Sequence, residues 1–189
     1  MGSFRKIPAN AQKVYQGVLH SVYHWQQEML DGTHQTFEAL RRNPSVTILA
    51  LTPTGKILVI EEEQPYNGYC VTIPGGTAET DDLFHEARRE LLEETGYQSD
   101  NWRLWTTIDV VPYAKLEWKS YFYIAHSCRR ASTIVDDPGE RLSVRRVTID
   151  EFFTIINRED FAIDYLKAIA ADKEQLAKLK KLLTVRVER

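Results

Sequence analysis

Apolar and polar positions alternate in short runs through most of the chain and shift to helical spacing in only a few stretches. Residues 14–19 and 21–26 alternate in part, and residues 35–42 follow an Asp31-Gly32 turn. A period of two around an Asp-Gly step predicts an antiparallel hairpin. Residues 45–51 and 56–61 are predicted as a second strand pair around Thr54-Gly55, and residues 69–73 lead into a glycine-rich turn. Further strands are predicted at 102–111, 119–126 and 141–148, before a short helix that starts at Ile149-Asp150-Glu151-Phe152. The tail from Phe161 reads as helical, with Ile163, Leu166, Ile169, Leu176, Leu179 and Leu182 on one stripe and lysines outside it.

One helix stands apart. Leu83, Ala87, Leu91 and Leu92 supply its apolar stripe, while Glu86, Glu90, Glu93 and Glu94 run along other faces. Thr80, Asp81 or Asp82 can accept the free N–H groups of its first turn. Gly96 provides the left-handed stop, so the pattern predicts a helix of about fourteen residues. Glu90, Glu93 and Glu94 lie at spacings of three and four, where like charges cost a helix about 0.2–0.5 kcal/mol per pair. A solvated acidic face is the ordinary reading of such a run. A hard divalent cation reverses the sign, because magnesium takes oxygen ligands from carboxylates and substrate phosphates.

The segment upstream, Ile73-Pro74-Gly75-Gly76-Thr77-Ala78-Glu79-Thr80-Asp81-Asp82, decides between these readings. From Gly75 to Tyr97 the chain resembles the Nudix box, G-x5-E-x7-R-E-U-x-E-E-x-G-U, where U is aliphatic or aromatic. Gly75 takes the glycine position and Asp81 the first glutamate position, a departure of Asp for Glu. Gly76, the usual start after Pro-Gly, stands one residue too close to Arg89, which implies a single-residue deletion around residues 80–82. By resemblance Glu90, Glu93 and Glu94 are the metal ligands, a backbone carbonyl near Gly75 joins them, and Arg89 orients them. The implied cofactor is Mg2+, with Mn2+ as the alternative ion. The implied reaction is hydrolysis of a diphosphate linked to another moiety, with the ion polarising phosphoryl oxygens and lowering the pKa of a bound water. Glu93 or a loop acid accepts the proton. The candidate loop is Val135-Asp136-Asp137-Pro138-Gly139-Glu140-Arg141, which composition alone describes as a polar turn.

Composition narrows the partners. At 189 residues with 43 % hydrophobic and 11 % aromatic side chains, the chain can build a real core. A net charge of −3 without a basic stripe interleaved with aromatics argues against nucleic acid. No signal-like segment or long apolar run occurs, so no membrane association and a reducing cytoplasm are expected. Cys70 and Cys128 lack metal or redox spacing and read as small buried hydrophobes.

From about Val14 onward the chain is similar to the ADP-ribose pyrophosphatase branch of Nudix hydrolases. The Asp31-Gly32 hairpin, the strand at 45–51, Glu61-Glu62-Glu63-Gln64-Pro65-Tyr66, the Gly139-Glu140 turn and Val147-Thr148-Ile149-Asp150-Glu151-Phe152 carry that resemblance. It implies an α/β/α sandwich with a mixed sheet over residues 44–189 and an N-terminal antiparallel β extension over 1–43 that makes a homodimer. It places Glu140 as base or water-positioning acid, with Glu93 and Arg89 beside it in the catalytic set. Substrate contacts are expected from Glu62, Gln64 and Gly76, with Phe37, Glu38, Arg41 or Arg42 reaching the neighbour's pocket. The branch's Gln-Tyr-Arg is Gln64-Pro65-Tyr66 here, so an arginine for ribose or phosphate is missing. Trp25, Trp102, Trp105 and Trp118 could stack on a base but read first as core. The implied function is Mg-dependent hydrolysis of ADP-ribose or another nucleoside diphosphate sugar to a nucleoside monophosphate and a sugar phosphate. Alternatives are a nucleoside triphosphate or dinucleoside polyphosphate hydrolase and a module that binds nucleotide without turnover.

Overall fold

A computed structural model of the chain describes residues 7–110, 115–134 and 139–184. Val111 and the stretch 135–138 of the expected acidic turn lie outside the described residues. In chain order the elements are β1 (Gln12–Gln16), β2 (His20–Glu28), β3 (His34–Arg42), β4 (Ser45–Ala50), β5 (Ile57–Gln64), β6 (Gly68–Thr72) and β7 (Gly75–Thr77). Helix α1 (Leu83–Thr95) follows, then β8 (Tyr97–Gln98), β9 (Asn101–Asp109), β10 (Leu116–Glu117), β11 (Lys119–His126), β12 (Arg129–Arg130) and β13 (Arg141–Val147). The chain closes with α2 (Ile149–Ile156), α3 (Asp164–Ala171) and α4 (Lys173–Thr184).

The part of the chain from β4 onward is an α/β/α sandwich, as its strands' near-continuous apolar runs require. Leu49 and Leu51, Ile57 and Val59, and Phe122 and Ile124 face a core shared with α2, α3 and α4. Val46, Ile48 and Ala50, Leu58, and Tyr123 and Ala125 face the opposite way, against Ala87 and Leu91 of α1. Because successive strand residues point to opposite faces, one run of aliphatic side chains feeds both cores. Leu91 is fully buried, and truncating such a residue to alanine costs about 2–5 kcal/mol.

Sheet pairing corrects one expectation. Strands β4 and β5 do not pair as neighbours; a Leu51↔Ile57 bridge across the Thr54-Gly55 turn joins their ends. Beyond it β4 runs parallel to β11 and antiparallel to β7, whereas β5 pairs with β13 and β6. A tight turn fixes only its flanking residues. Both strands are buried on two faces, so they serve better as central strands of separate sheets than as a two-stranded hairpin. The helical tail also divides: Asp172 leaves helical geometry, and its Oδ1 accepts the Glu174 and Gln175 amides at the start of α4.

The N-terminal hairpin forms as expected. Asp31 Oδ1 accepts the Thr33 amide at 3.0 Å and its hydroxyl at 2.7 Å, with Gly32 at φ +82. This sheet is not wholly antiparallel, because β10 from the later chain adds to β3 in parallel, Leu116 opposite Leu40. Arg42 stacks on Trp118 with 4.1 Å to the ring centre, tying the extension to the rest of the chain.

Candidate active site

The glycine segment is a short strand, not the open turn expected from its composition. Gly75 pairs with Thr47 and Gly76 with Val46. A Cβ on Gly75 would collide with the Val46 carbonyl, and one on Gly76 would fall on the Glu90 carboxylate. The two glycines therefore let the backbone lie directly on β4 and on α1.

Helix α1 begins and ends where its sequence demands. Asp82 accepts the His85 amide at 3.0 Å, and Gly96 closes the helix at φ +71 with its N–H on Leu92 O. Between these caps Arg89 spans three acids. Its Nη2 lies 2.9 Å from Glu86 Oε2 and 2.7 Å from Glu90 Oε1, and its Nη1 lies 2.6 Å from Glu93 Oε2. Burial opposes the charge on Arg89, but bonds to Glu86 and Glu93 and the charges of Glu90 and Glu93 hold its pKa above the usual arginine value. Arg89 thus contacts three carboxylates of one helix at once, two of them among the expected metal ligands.

Glu86 was legible only as a residue off the apolar stripe. Its side chain is 2 % exposed. It accepts the Glu79 amide at 3.2 Å and the Thr80 hydroxyl at 2.8 Å, fixing the loop that enters the helix. Burial alone would raise its pKa; these bonds and Arg89 overcome that and lower it to about 2. Asp81, aligned to the first glutamate position, is exposed, and the contact between loop and Arg89 comes from Glu86.

Glu94 and Glu90 lie under the glycine strand. Glu94 Oε2 accepts the Gly75 amide at 2.8 Å. Burial first, and then the charges of Glu90, Glu140 and Glu62, raise the Glu94 pKa well above its ordinary value against the pull of that amide. Glu90 is raised chiefly by burial, with Glu93 and Glu86 adding and Arg89 opposing. Strands β5 and β13 bring Glu62 and Glu140 to the same place. The Gln64 amide donates to Glu62 Oε1 and, at 3.3 Å, to Glu140 Oε2, while Asn67 holds Gln64 Oε1 at 2.7 Å. Burial and Glu140 both raise Glu62. Next to it opens a cleft of about 390 Å³ lined by Glu63, Gln64, Pro65, Gly68, Gly139, Glu140 and Arg141.

Other candidates fall elsewhere or take other parts. Glu93 is half exposed, against Arg89 and away from Glu94's amide contact. Cys70 is only half-buried; its thiol points at Glu62 Oε2, 3.8 Å away, and burial followed by the Glu62 charge pushes it up to about 11. Cys128 is buried as expected. Phe37 packs on Trp25 and under Lys115, and Arg41 bonds Glu117 and the Tyr23 hydroxyl within its own sheet. Glu38 pairs with His24, and Arg42 Nη2 reaches Thr77 of β7 at 3.5 Å. Trp105 and Trp102 pack in the two cores. Arg141, which the sequence shows only as the end of the acidic turn, supplies a cation at the cleft, 3.4 Å from Glu63.

Among the described residues no three His, Cys, Asp or Glu side chains form a ready-made metal cluster. The donor set nevertheless fits a hard cation. The charges of Glu90, Glu140 and Glu62 raise the proton affinity of Glu94, that of Glu140 raises Glu62, and carboxylate oxygens are the ligands that magnesium and manganese accept.

Comparison with known proteins agrees with this geometry. Over 176 residues the chain is 24 % identical to an ADP-ribose pyrophosphatase of Bacillus subtilis (strain 168), covering 88 % of this chain and 95 % of the relative. A crystal structure of an ADP compounds hydrolase superposes with a TM-score of 0.70 over 93 % of this chain and 94 % of that one, at 18 % identity. The NUDIX domain family model matches residues 41–171, most of the chain and all of the carboxylate cluster, so this protein belongs to the NUDIX family and is a Nudix hydrolase.

Proposed function

We propose that the protein is a magnesium-dependent pyrophosphatase that hydrolyses ADP-ribose or a related nucleoside diphosphate sugar to a nucleoside monophosphate and a sugar phosphate. The observation that carries this reading is the convergence of Glu90 and Glu94, beneath Gly75 and Gly76, with Glu62 and Glu140 across the strand ends. Four acids whose charges act on one another repel each other and any diphosphate unless a divalent cation joins them. Glu90, Glu94 and Glu93, with the Gly75 carbonyl, would hold Mg2+, or Mn2+ in its place. The ion supplies charge neutralisation at the phosphoryl oxygens and an acidified water.

The chain's own residues do the rest. Arg89 sets the carboxylates and Glu86 sets the loop above them. Glu140 takes the proton as water oxygen attacks one phosphorus, and the P–O bond to the bridging oxygen breaks to release the second phosphate. Glu62, Gln64 and Gly76 would contact the diphosphate, and Arg141, which lines the cleft beside Gln64, supplies the cation that Gln64-Pro65-Tyr66 lacks. A non-catalytic binder would not need this full acid set.

A homodimer through the N-terminal sheet fits the exposed Val14, Tyr15, Val18 and Leu19, with Phe37 and Arg41 as contacts to the neighbouring pocket. The unpaired Cys70 and Cys128 suit a reducing cytoplasm, and among the described residues no helix is long and apolar enough to cross a membrane. The decisive experiment is a panel of ADP-ribose, ADP-glucose, UDP-glucose, diadenosine polyphosphates and dNTPs with excess magnesium, read as phosphate released after phosphatase coupling. Preferential turnover of a nucleoside diphosphate sugar is expected; preference for triphosphates, or no turnover, refutes this reading.

A further inference from the structure

A second cleft, about 570 Å³, opens at the far end of the same strands, lined by Thr52, Pro53, Thr54, Lys56, Tyr97, Cys128, Arg129, Arg130 and Arg146. Its four cations are all exposed and come from three places in the fold: the turn before β5, strand β12, and the end of β13. Strand β13 pairs with β5 without a bulge from Arg141 to Val147, so Arg146 shares its face with Leu142 and Val144. Six residue steps separate Arg146 from Glu140, about 20 Å at ~3.3 Å per step. Lys56, the residue before β5, and Glu62 near its far end likewise fall on one side of that strand's line. Each strand therefore carries an acid at the active-site end and a base at the other.

Neutralisation within the protein does not account for the cluster. Among the described residues no carboxylate lies within ion-pair distance of Lys56, Arg129, Arg130 or Arg146, whereas Arg141, Arg145 and Arg158 are each paired. Arg130 Nε donates only to the Ser132 carbonyl at 3.3 Å. Glu151 feels the Lys56 charge, but its Oε2 is occupied by the Thr148 amide and hydroxyl at 2.7 and 2.8 Å. The C-terminal end of α1 has no basic residue in its last turn, so cations on β12 complement its dipole. That accounts for residues beside Gly96, not for Lys56 and Arg146 brought in from two other elements. Four like charges around one concavity repel, in a protein whose net charge is −3.

We propose that this cleft binds a phosphate-bearing small anion, a phosphomonoester or diphosphate, at a site separate from the carboxylate cluster. Arginine forks bind phosphate oxygens bidentately, and lysine adds a point charge. The turn that presents Lys56 is rigid: Thr52 Oγ1 accepts the Lys56 amide at 3.1 Å and bonds Thr54 Oγ1 at 3.0 Å.

The test is calorimetric titration of the full chain with inorganic pyrophosphate and with AMP, in EDTA, so that metal-dependent phosphate binding at the carboxylates is silent. Binding is expected, weakened at least about tenfold in the doubly substituted Arg129→Gln/Arg146→Gln protein and unchanged in Glu94→Gln. Both arginines are exposed, and thermal melts confirm the variant's fold. AMP binding well above pyrophosphate identifies a nucleoside-bearing ligand; equal binding shows that the phosphate alone suffices. The proposal is overturned if neither anion binds, if the double variant binds as well as wild type, or if Glu94→Gln weakens binding equally. It also fails if a single-stranded RNA oligomer binds at the same arginines far more tightly than either small anion. Substrate turnover is not part of the readout, so these outcomes are independent of the pyrophosphatase reading.

Discussion

Arg89 Nη2 stands 2.9 Å from Glu86 Oε2, and the same carboxylate oxygen accepts the Glu79 amide at 3.2 Å. The pair thus couples the loop entering α1 to the guanidinium that also contacts Glu90 and Glu93. Glu86→Gln removes the charge and should destabilise the fold by about 2 kcal/mol, the scale of a hydrogen bond to a charged group. The Glu86 pKa is depressed from 4.5 to about 2, so its contribution is complete above pH 4.5 and disappears as pH falls toward 2. Urea unfolding of wild type and variant should show a gap that closes over that window. A gap that does not narrow there contradicts the charge-based account.

Sequence reading recovered what is locally determined. The Asp82 cap, the Gly96 stop and the register of Glu90, Glu93 and Glu94 follow from neighbours within a few residues. It erred where the deciding contact is distant. The hairpin expected of residues 45–61 gives way because β4 finds β11 and β5 finds β13, partners more than sixty residues away. Glu86 looked like an ordinary helix-surface acid because nothing in its spacing reveals that residues 79–80 fold back onto it. The spacing of Cys70 predicts a small buried hydrophobe, yet the pairing of β6 with β5 sets it opposite Glu62.

Glu94→Gln should reduce turnover at least about 100-fold, since outer-shell partners of a metal alone typically cost 10–100-fold. In EDTA the variant should unfold no earlier than wild type. Burial and three neighbouring acids raise the Glu94 pKa, so the wild-type protein loses stability as pH rises above 4.5, and the amide avoids that loss. Thermal melts across pH, beside magnesium-dependent rates, distinguish this functional burden from a structural role. Early unfolding would contradict it.

Gly76→Ala places a methyl group on the Glu90 carboxylate. The side chain must swing away, and kcat should fall about tenfold or more, because a displacement near 1 Å at a positioned group can cost about 100-fold. Global stability should change by no more than about 1–3 kcal/mol, the range for overpacking. Steady-state kinetics with denaturant curves test both halves. Unaltered kcat would mean that Glu90's place under the glycine strand does not matter to the reaction.

On the proposed mechanism, Glu140→Gln separates proton transfer from metal binding. Gln64 donates to Glu140 at 3.3 Å and also to Glu62, so the amide pair can re-form with the substituted side chain and the strand ends should keep their places. Loss of a general base typically costs about 10²–10⁴-fold, and kcat should fall within that range while KM for a nucleoside diphosphate sugar changes little. Magnesium half-saturation should shift far less than in Glu94→Gln, since Glu94 lies under Gly75 and Glu140 lines the open cleft. If instead KM for magnesium rises and kcat recovers at saturating metal, Glu140 is a ligand and the proton goes to another acid, with Glu93 the next to substitute.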